Sequence, residues 1–177
     1  MSITVLVLWA LFALVLLLLV TAAMRPDHFR VERSLQVAAP PERVLALLLD
    51  FHRWALWSPW ENIDPTMQRS FSGEPSGVGA VYAWSGNGKA GAGRMEIRDA
   101  QPGLVLIQID FSKPFVAHNT VEFTLVGQGE GTQLCWAMYG PSPFVSKLMG
   151  LVVNMDRLIG RDFEKGLANL QAALQAA

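Results

Sequence analysis

The sequence predicts an α+β fold: a curved, seven-stranded antiparallel sheet around one long C-terminal helix, preceded by an apolar N-terminal helix. Three observations predict it. No charged residue or histidine occurs before Arg25. Residues 66–140 then read as alternating segments divided by Gly- and Pro-rich breaks. Finally, Met155, Ile159, Phe163, Leu167, Leu170 and Leu174 recur at spacings of four and three, one apolar stripe of a helix. A chain of 177 residues holds one ordinary domain and an apolar segment, and is too short for two such domains.

Residues 3–23, ITVLVLWALFALVLLLLVTAA, form an almost unbroken apolar run. As a helix it would span roughly 31 Å, about the hydrocarbon thickness of a bilayer. Thr4 and Thr21 interrupt it, and a threonine hydroxyl can bond back to its own helix. The competing possibility is a cleavable signal peptide, with small residues at Thr21-Ala22-Ala23 for the cut. Against that, the run exceeds the usual apolar length and no Lys or Arg precedes it. We read a retained single-pass anchor. Arg25, Arg30 and Arg33 come after it, so the positive-inside rule predicts a cytoplasmic C-terminal part; export after signal-peptide cleavage is the alternative.

After a linker at 24–28, the expected binding domain covers 29–177. Phe29, Val31, Arg33, Leu35 and Val37 alternate onto one side of a first strand. Pro40-Pro41-Glu42 then signals a helix start, because proline lacks an N–H that would be unpaired there and an acid suits the helix N-terminus. Val44, Leu45, Leu47, Leu48 and Phe51 supply its apolar side, and a tryptophan-rich stretch, Phe51–Trp60, comes next. Six further strands are predicted at Thr66–Phe71, Gly79–Ser85, Gly93–Asp99, Leu104–Ser112, Phe115–Val126 and Thr132–Gly140, with breaks short enough for antiparallel pairing. A short turn at Phe144–Leu151 precedes the last helix, which is predicted to begin near Asn154. An antiparallel sheet this long curls around that helix, and the space between them becomes core or cavity.

Composition excludes several functions. The 14 Lys+Arg nearly cancel 15 Asp+Glu, so the basic excess that marks a nucleic-acid partner is missing. Cys135 has no internal partner for a disulfide and reads as a small buried hydrophobe in a strand. His28, His52 and His118 are scattered, none at metal-ligand spacing, so neither metal nor cofactor is predicted. Gly86-Asn87-Gly88-Lys89-Ala90-Gly91 has the spacing of a dinucleotide loop. That loop requires a helix after it. Here Arg94–Arg98 alternates as a strand, so the segment reads as a hairpin.

A set of motifs then points to a family. They are Arg33-Ser34, Ala39–Val44, Asp50-Phe51, Trp57-Ser58-Pro59-Trp60-Glu61, Tyr82–Asn87, Phe111–Phe115, Gly131-Thr132 with Trp136 and Met138, and Asp162–Leu167. In order and spacing they resemble the SRPBCC superfamily, also called the START or birch-pollen-allergen helix-grip fold, most closely its polyketide cyclase/dehydrase-like branch. The resemblance implies a helix-grip fold over roughly residues 29–175. It implies function only by analogy, since members of this superfamily bind lipids, sterols, quinones, polyketides and hormones, and a few are enzymes.

Three functions stand as expectations. The first is a membrane-anchored carrier or binding domain for an apolar small molecule: a lipid, quinone or polyketide-like compound. The second is a polyketide cyclase/dehydratase-like enzyme using the same cavity. The third is a co-chaperone-like protein-interaction module with a filled core. No catalytic constellation emerges, because alternation puts Glu96, Asp110 and His118 on the outer face and leaves Asn119 as the inward polar group. The expected ligand wall is Tyr82, Trp84, Met95, Phe111, Asn119, Trp136 and Met138 from the strands, with Met155 and Ile159 from the last helix.

Overall fold

In the computed structural model, which describes residues 2–176, the chain forms α1 (Ile3–Ala23), β1 (His28–Val37), α2 (Pro41–Leu48), a 3-10 helix (Phe51–Leu56), β2 (Gln68–Gly73), β3 (Ala80–Ser85), β4 (Ala92–Gln101), β5 (Leu104–Lys113), β6 (Ala117–Gln128), β7 (Gly131–Pro141), α3 (Phe144–Met149) and α4 (Met155–Ala176). The seven strands make one sheet in the order β1-β7-β6-β5-β4-β3-β2. Every neighbouring pair is antiparallel. Register shifts in β4 at Ala92/Gly93 and Ile97/Asp99 bend the sheet, as bulges do. Its concave face grips α4, the helix-grip architecture expected from the sequence.

Local chemistry sets the element ends. Pro41 opens α2 with Glu42 in its first turn. The Asp50 carboxylate caps the 3-10 helix by accepting from the His52 N–H at 2.9 Å. β2 starts two residues later than the alternation suggests. Asp64 Oδ1 accepts from both the N–H and the hydroxyl of Thr66, at 2.9 and 2.8 Å, and holds a turn there. Phe115, expected within a strand, instead stands exposed in the β5–β6 turn. The glycine-rich segment is the β3–β4 hairpin, closed by Gly86 N–H donating to the Gly91 carbonyl at 2.8 Å.

The two sheet faces differ in kind. On the convex side Glu96 pairs with Arg94 and Arg98, and Asp110 pairs with His118 and Arg94. Cys135 requires a correction. It does lie in a strand, but opposite Ser34 and Thr124, and it is half-buried rather than buried. On the concave side Phe163, Leu167, Leu170 and Leu174 of α4 are buried as the stripe predicts. Met155 is not: at the first turn of α4 it is 42% exposed.

Two buried glycines let α4 sit close. A Cβ on Gly166 would lie 2.6 Å from Trp136 Cζ3, and a Cβ on Gly160 would collide with the Arg33 guanidinium. Arg33 shares the concave face with Trp136 and clamps α4, donating to Asp156 Oδ1 at 3.0 Å and Glu164 Oε1 at 2.8 Å.

α1 stands apart from this core. Its side chains are all exposed except that of Ala22, and by length and apolarity it could cross a membrane. Thr21 Oγ1 donates to the Leu17 and Leu18 carbonyls at 2.9 Å, which satisfies its hydroxyl inside the helix.

Candidate functional site

Strand register brings the seven expected strand residues onto one face. Tyr82 pairs with Met95, which pairs with Ile109, and Ile109 pairs with Asn119. Gly93 lies between Trp84 and Phe111, and its missing Cβ lets the Trp84 ring pass over it. The Trp84 and Phe111 rings meet edge-to-face at 5.8 Å. Trp136 and Met138 lie on β7, opposite Phe123 and Val121. Ile159 packs against this core from α4, while Met155 stands at the rim.

These nine residues do not border one common space. Trp136 is 1% exposed, stacked on Phe163 at 4.1 Å, and touched edge-to-face by Trp57 and Trp60. It is the centre of a sealed aromatic cluster that also takes in Trp54 and Phe123. The indole N–H groups of Trp57 and Trp136 are buried without an acceptor among the described residues. Edge-to-face packing offers them only the weaker compensation of a ring face. Tyr82 is committed as well, since its hydroxyl donates to Glu61 Oε1 at 2.8 Å. Burial, then the adjacent Glu61 carboxylate, pushes its phenol well above the ordinary tyrosine range, so it remains a neutral donor. Trp84 donates its Nε1–H to the Ala90 carbonyl at 3.1 Å and offers the concave face only its ring.

Nearer the ends of the strands the wall is looser. Met95, Ile109 and Met138 keep 7–8% of their surface, and Trp84, Phe111 and Ile159 are half-buried. Asn119 is 7% exposed and makes no side-chain hydrogen bond to a described residue, yet it is not one of the sealed orphans, which are the Trp57 and Trp136 indole N–H groups, so its amide still reaches solvent. Its Oδ1 lies where a Cβ on Gly140 would be. A polar amide that reaches solvent on an otherwise apolar wall suits a polar group arriving from outside.

This looser part lies at one particular end of the sheet. His28 pairs with Pro141, Phe111 with Ala117, and Ala92 with Lys113, so the start of β1 and the β3–β4 and β5–β6 hairpins share that end. α1 joins the domain at the same end, four residues before β1.

Two further polar residues, Glu61 and Arg69, lie outside the expected ligand wall, although Glu61 closes the Trp57–Glu61 motif. Glu61 is buried, and its carboxylate accepts from Arg69 Nε at 2.7 Å as well as from Tyr82. With Phe51, His52, Ala55, Asn62 and Phe71 they line a depression of about 310 Å³ between the 3-10 helix and β2. A second, of about 280 Å³, opens near Pro41, Leu45, Pro102 and Leu125. None of the nine expected wall residues lines either one. Arg69 could have been found by its alternation with Phe71 onto the Trp84–Tyr82 face of β2, although its side chain stays 30% exposed and it is the Glu61 carboxylate that is buried. Because both groups are satisfied by each other and by Tyr82, Glu61 lacks the free proton-transfer position of a general acid or base.

Comparison with known proteins gives the remaining findings. The family described as polyketide cyclase/dehydrase and lipid transport matches residues 28–175. No curated protein matches. Among solved structures, a Staphylococcus aureus protein of unknown function aligns with a TM-score of 0.64 at 13% identity, covering 85% of this chain and 95% of its own. A Chromobacterium violaceum protein aligns at 0.57 and 16% identity, covering 85% and 98%. The protein Ara h 8.0201 aligns at 0.53 and 10% identity, covering 85% and 99%. At such identities the likeness is one of fold.

Proposed function

This chain belongs to the polyketide cyclase/dehydrase and lipid transport family, and from that premise we propose that it is a membrane-anchored carrier or binding domain for an apolar small molecule with one polar group. Membership supports a domain for hydrophobic ligands. The observation that carries the finer reading is Asn119, a nearly buried amide without a protein partner on an otherwise apolar wall of Trp84, Met95, Phe111 and Met138. An amphiphile such as a quinone, sterol or fatty acid would lay its apolar part on that wall and its oxygen on Asn119. Met155 and Ile159 would cover it from α4, and Met side chains adapt to flexible ligands. Tyr82 and Trp136 flank the wall on the same face.

In this proposal α1 is a retained single-pass anchor and the domain faces the cytoplasm. Its support is the run of exposed apolar side chains on α1, which water disfavours and lipid accepts. The mouth of the wall then opens at the tethered end, beside the source of an apolar ligand.

The test is tryptophan fluorescence of the full chain in lipid nanodiscs, titrated with fatty acids, quinones and sterols. Wild type should respond saturably to at least one class, and Trp84→Leu should lose most of the response. A panel that leaves the wild-type signal unmoved sinks the proposal. The sealed cluster around Trp136 would then favour the second reading, a protein-interaction module with a filled core.

A further inference from the structure

Between Pro141 and Asn154 the chain carries one charged residue, Lys147. That residue is turned inward, its ammonium against the Asp27 carboxylate. The apolar side chains around it face outward: Phe144, Val145, Leu148, Met149, Val152 and Val153 are all exposed, Val152 by 89%. A continuous apolar surface of this kind is uncommon on a soluble domain and marks an interaction site.

Its position relative to α1 is fixed by several ties. α3 packs against α1, whose one buried residue is Ala22 near the helix end. Arg25 Nη1 donates to the Gly150 carbonyl at 2.8 Å, and the Ser142 N–H donates to the Asp27 carbonyl at 2.6 Å. Phe115 and Val116, in the exposed β5–β6 turn, lie at the same end of the sheet.

We infer that α3 and the loop after it dock into the headgroup–acyl boundary of the bilayer, seating the open end of the concave wall on lipid. The inference rests on α1 spanning the membrane. If it does, α3 cannot be far from the lipid surface, because it touches the last turns of α1. Charge placement favours lipid as the occupant. Both cations at the junction are engaged within the protein, Lys147 by Asp27 and Arg25 by the Gly150 carbonyl, so neither enters the boundary bare. Arg25 can also extend its head toward water while its stem stays in the apolar layer. An apolar face with so little charge lies in the interface plane by area burial alone.

The experiment uses the full chain, with Cys135→Ser, reconstituted in phosphatidylcholine vesicles. A polarity-sensitive fluorophore is placed in turn at Val152→Cys, at Leu11→Cys within α1, and at Gln128→Cys, the last residue of β6 at the far end of the sheet. Nitroxide lipids quench either near the headgroup or near the acyl terminus. The expected result is a blue-shifted Val152 label quenched by the headgroup-level nitroxide at least about twofold more than the Gln128 label. Quenching of Leu11 by the deep nitroxide, with Val152 no different from Gln128, overturns the docking and leaves the anchor standing. A Leu11 label that neither nitroxide quenches overturns the anchor, and the docking with it. A Val152 label shielded from water yet unquenched by lipid also overturns it, assigning the face to a second copy of this chain.

Discussion

Along the strands the concave face changes character. Away from the tether, Trp136, Phe123, Val105 and Leu134 are all but fully buried: Trp54 of the 3-10 helix and Trp57 just after it meet Phe123 edge-to-face, and Phe163 of α4 stacks flat on Trp136. Toward the tether, Met138, Asn119, Ile109 and Met95 continue the same alternation but each keep 7–8% of their surface. Both ends are apolar, so hydrophobicity does not distinguish them. The covering element does: α4 brings phenylalanine and leucines to the far end and only Ile159 and an exposed Met155 to the near one. The far end is sealed, and in the proposed function the near end is where a ligand would lie.

The largest way to break this contrast is at its sealed end. Trp136→Ala should cost about 3–5 kcal/mol, read as a lower denaturant midpoint of the full chain in nanodiscs. A loss below about 1 kcal/mol would mean that the cluster relaxes easily and is not the stabilising half. Gly166→Ala acts on the same cluster by crowding. The new methyl would lie 2.6 Å from Trp136 and 3.1 Å from Pro59, and should cost about 1–3 kcal/mol.

At the open end the sign should reverse. Asn119→Leu removes a nearly buried amide that has no protein partner, so stability should hold or rise by up to about 1 kcal/mol. Affinity for an oxygen-bearing ligand should fall by up to about tenfold, the worth of one such hydrogen bond. Lost stability with unchanged affinity would show that Asn119 serves the fold instead.

The smallest effect sharpens the contrast by pH. Asp64 accepts from the Asn87 N–H at 2.7 Å and from Thr66, tying the turn before β2 to the β3–β4 hairpin, whose Ala90 carbonyl holds the Trp84 indole. Those hydrogen bonds, the Asn87 one first, hold its carboxyl below the ordinary range. A carboxylate with a lowered folded-state pKa adds stability above its unfolded value, and that stability is lost as pH falls through the folded value. Acidification below about pH 4 should therefore loosen the near end first, seen as quicker acrylamide quenching of Trp84 while the Trp136 cluster stays protected. Wild type minus Trp84→Leu isolates that signal. Asp64→Asn should remove this pH dependence, and a variant that keeps it would assign the transition to another group.

By itself the sequence determined the elements, because they rest on local periodicity. The alternation at Phe29–Val37 and the stripe from Ile159 to Leu174 became β1 and α4 with buried faces as read. The same alternation placed Asn119 inward and His118, Glu96 and Asp110 outward, since a strand has only two sides. The strand at Arg94–Arg98, where a nucleotide loop would need a helix, also distinguished the glycine-rich hairpin from such a loop. Only the tertiary structure decided which part of the inner face is filled. Trp136 and Met138 are two residues apart on one face, yet one is sealed by Phe163 and the other is not, because the crossing of α4 is set by Gly160, Gly166 and the Arg33 clamp. The Glu61–Arg69–Tyr82 network and the Arg25 and Lys147 ties join residues far apart in the chain. No periodic pattern encodes such pairings; they arise when buried or crowded charges must find partners once the core has closed.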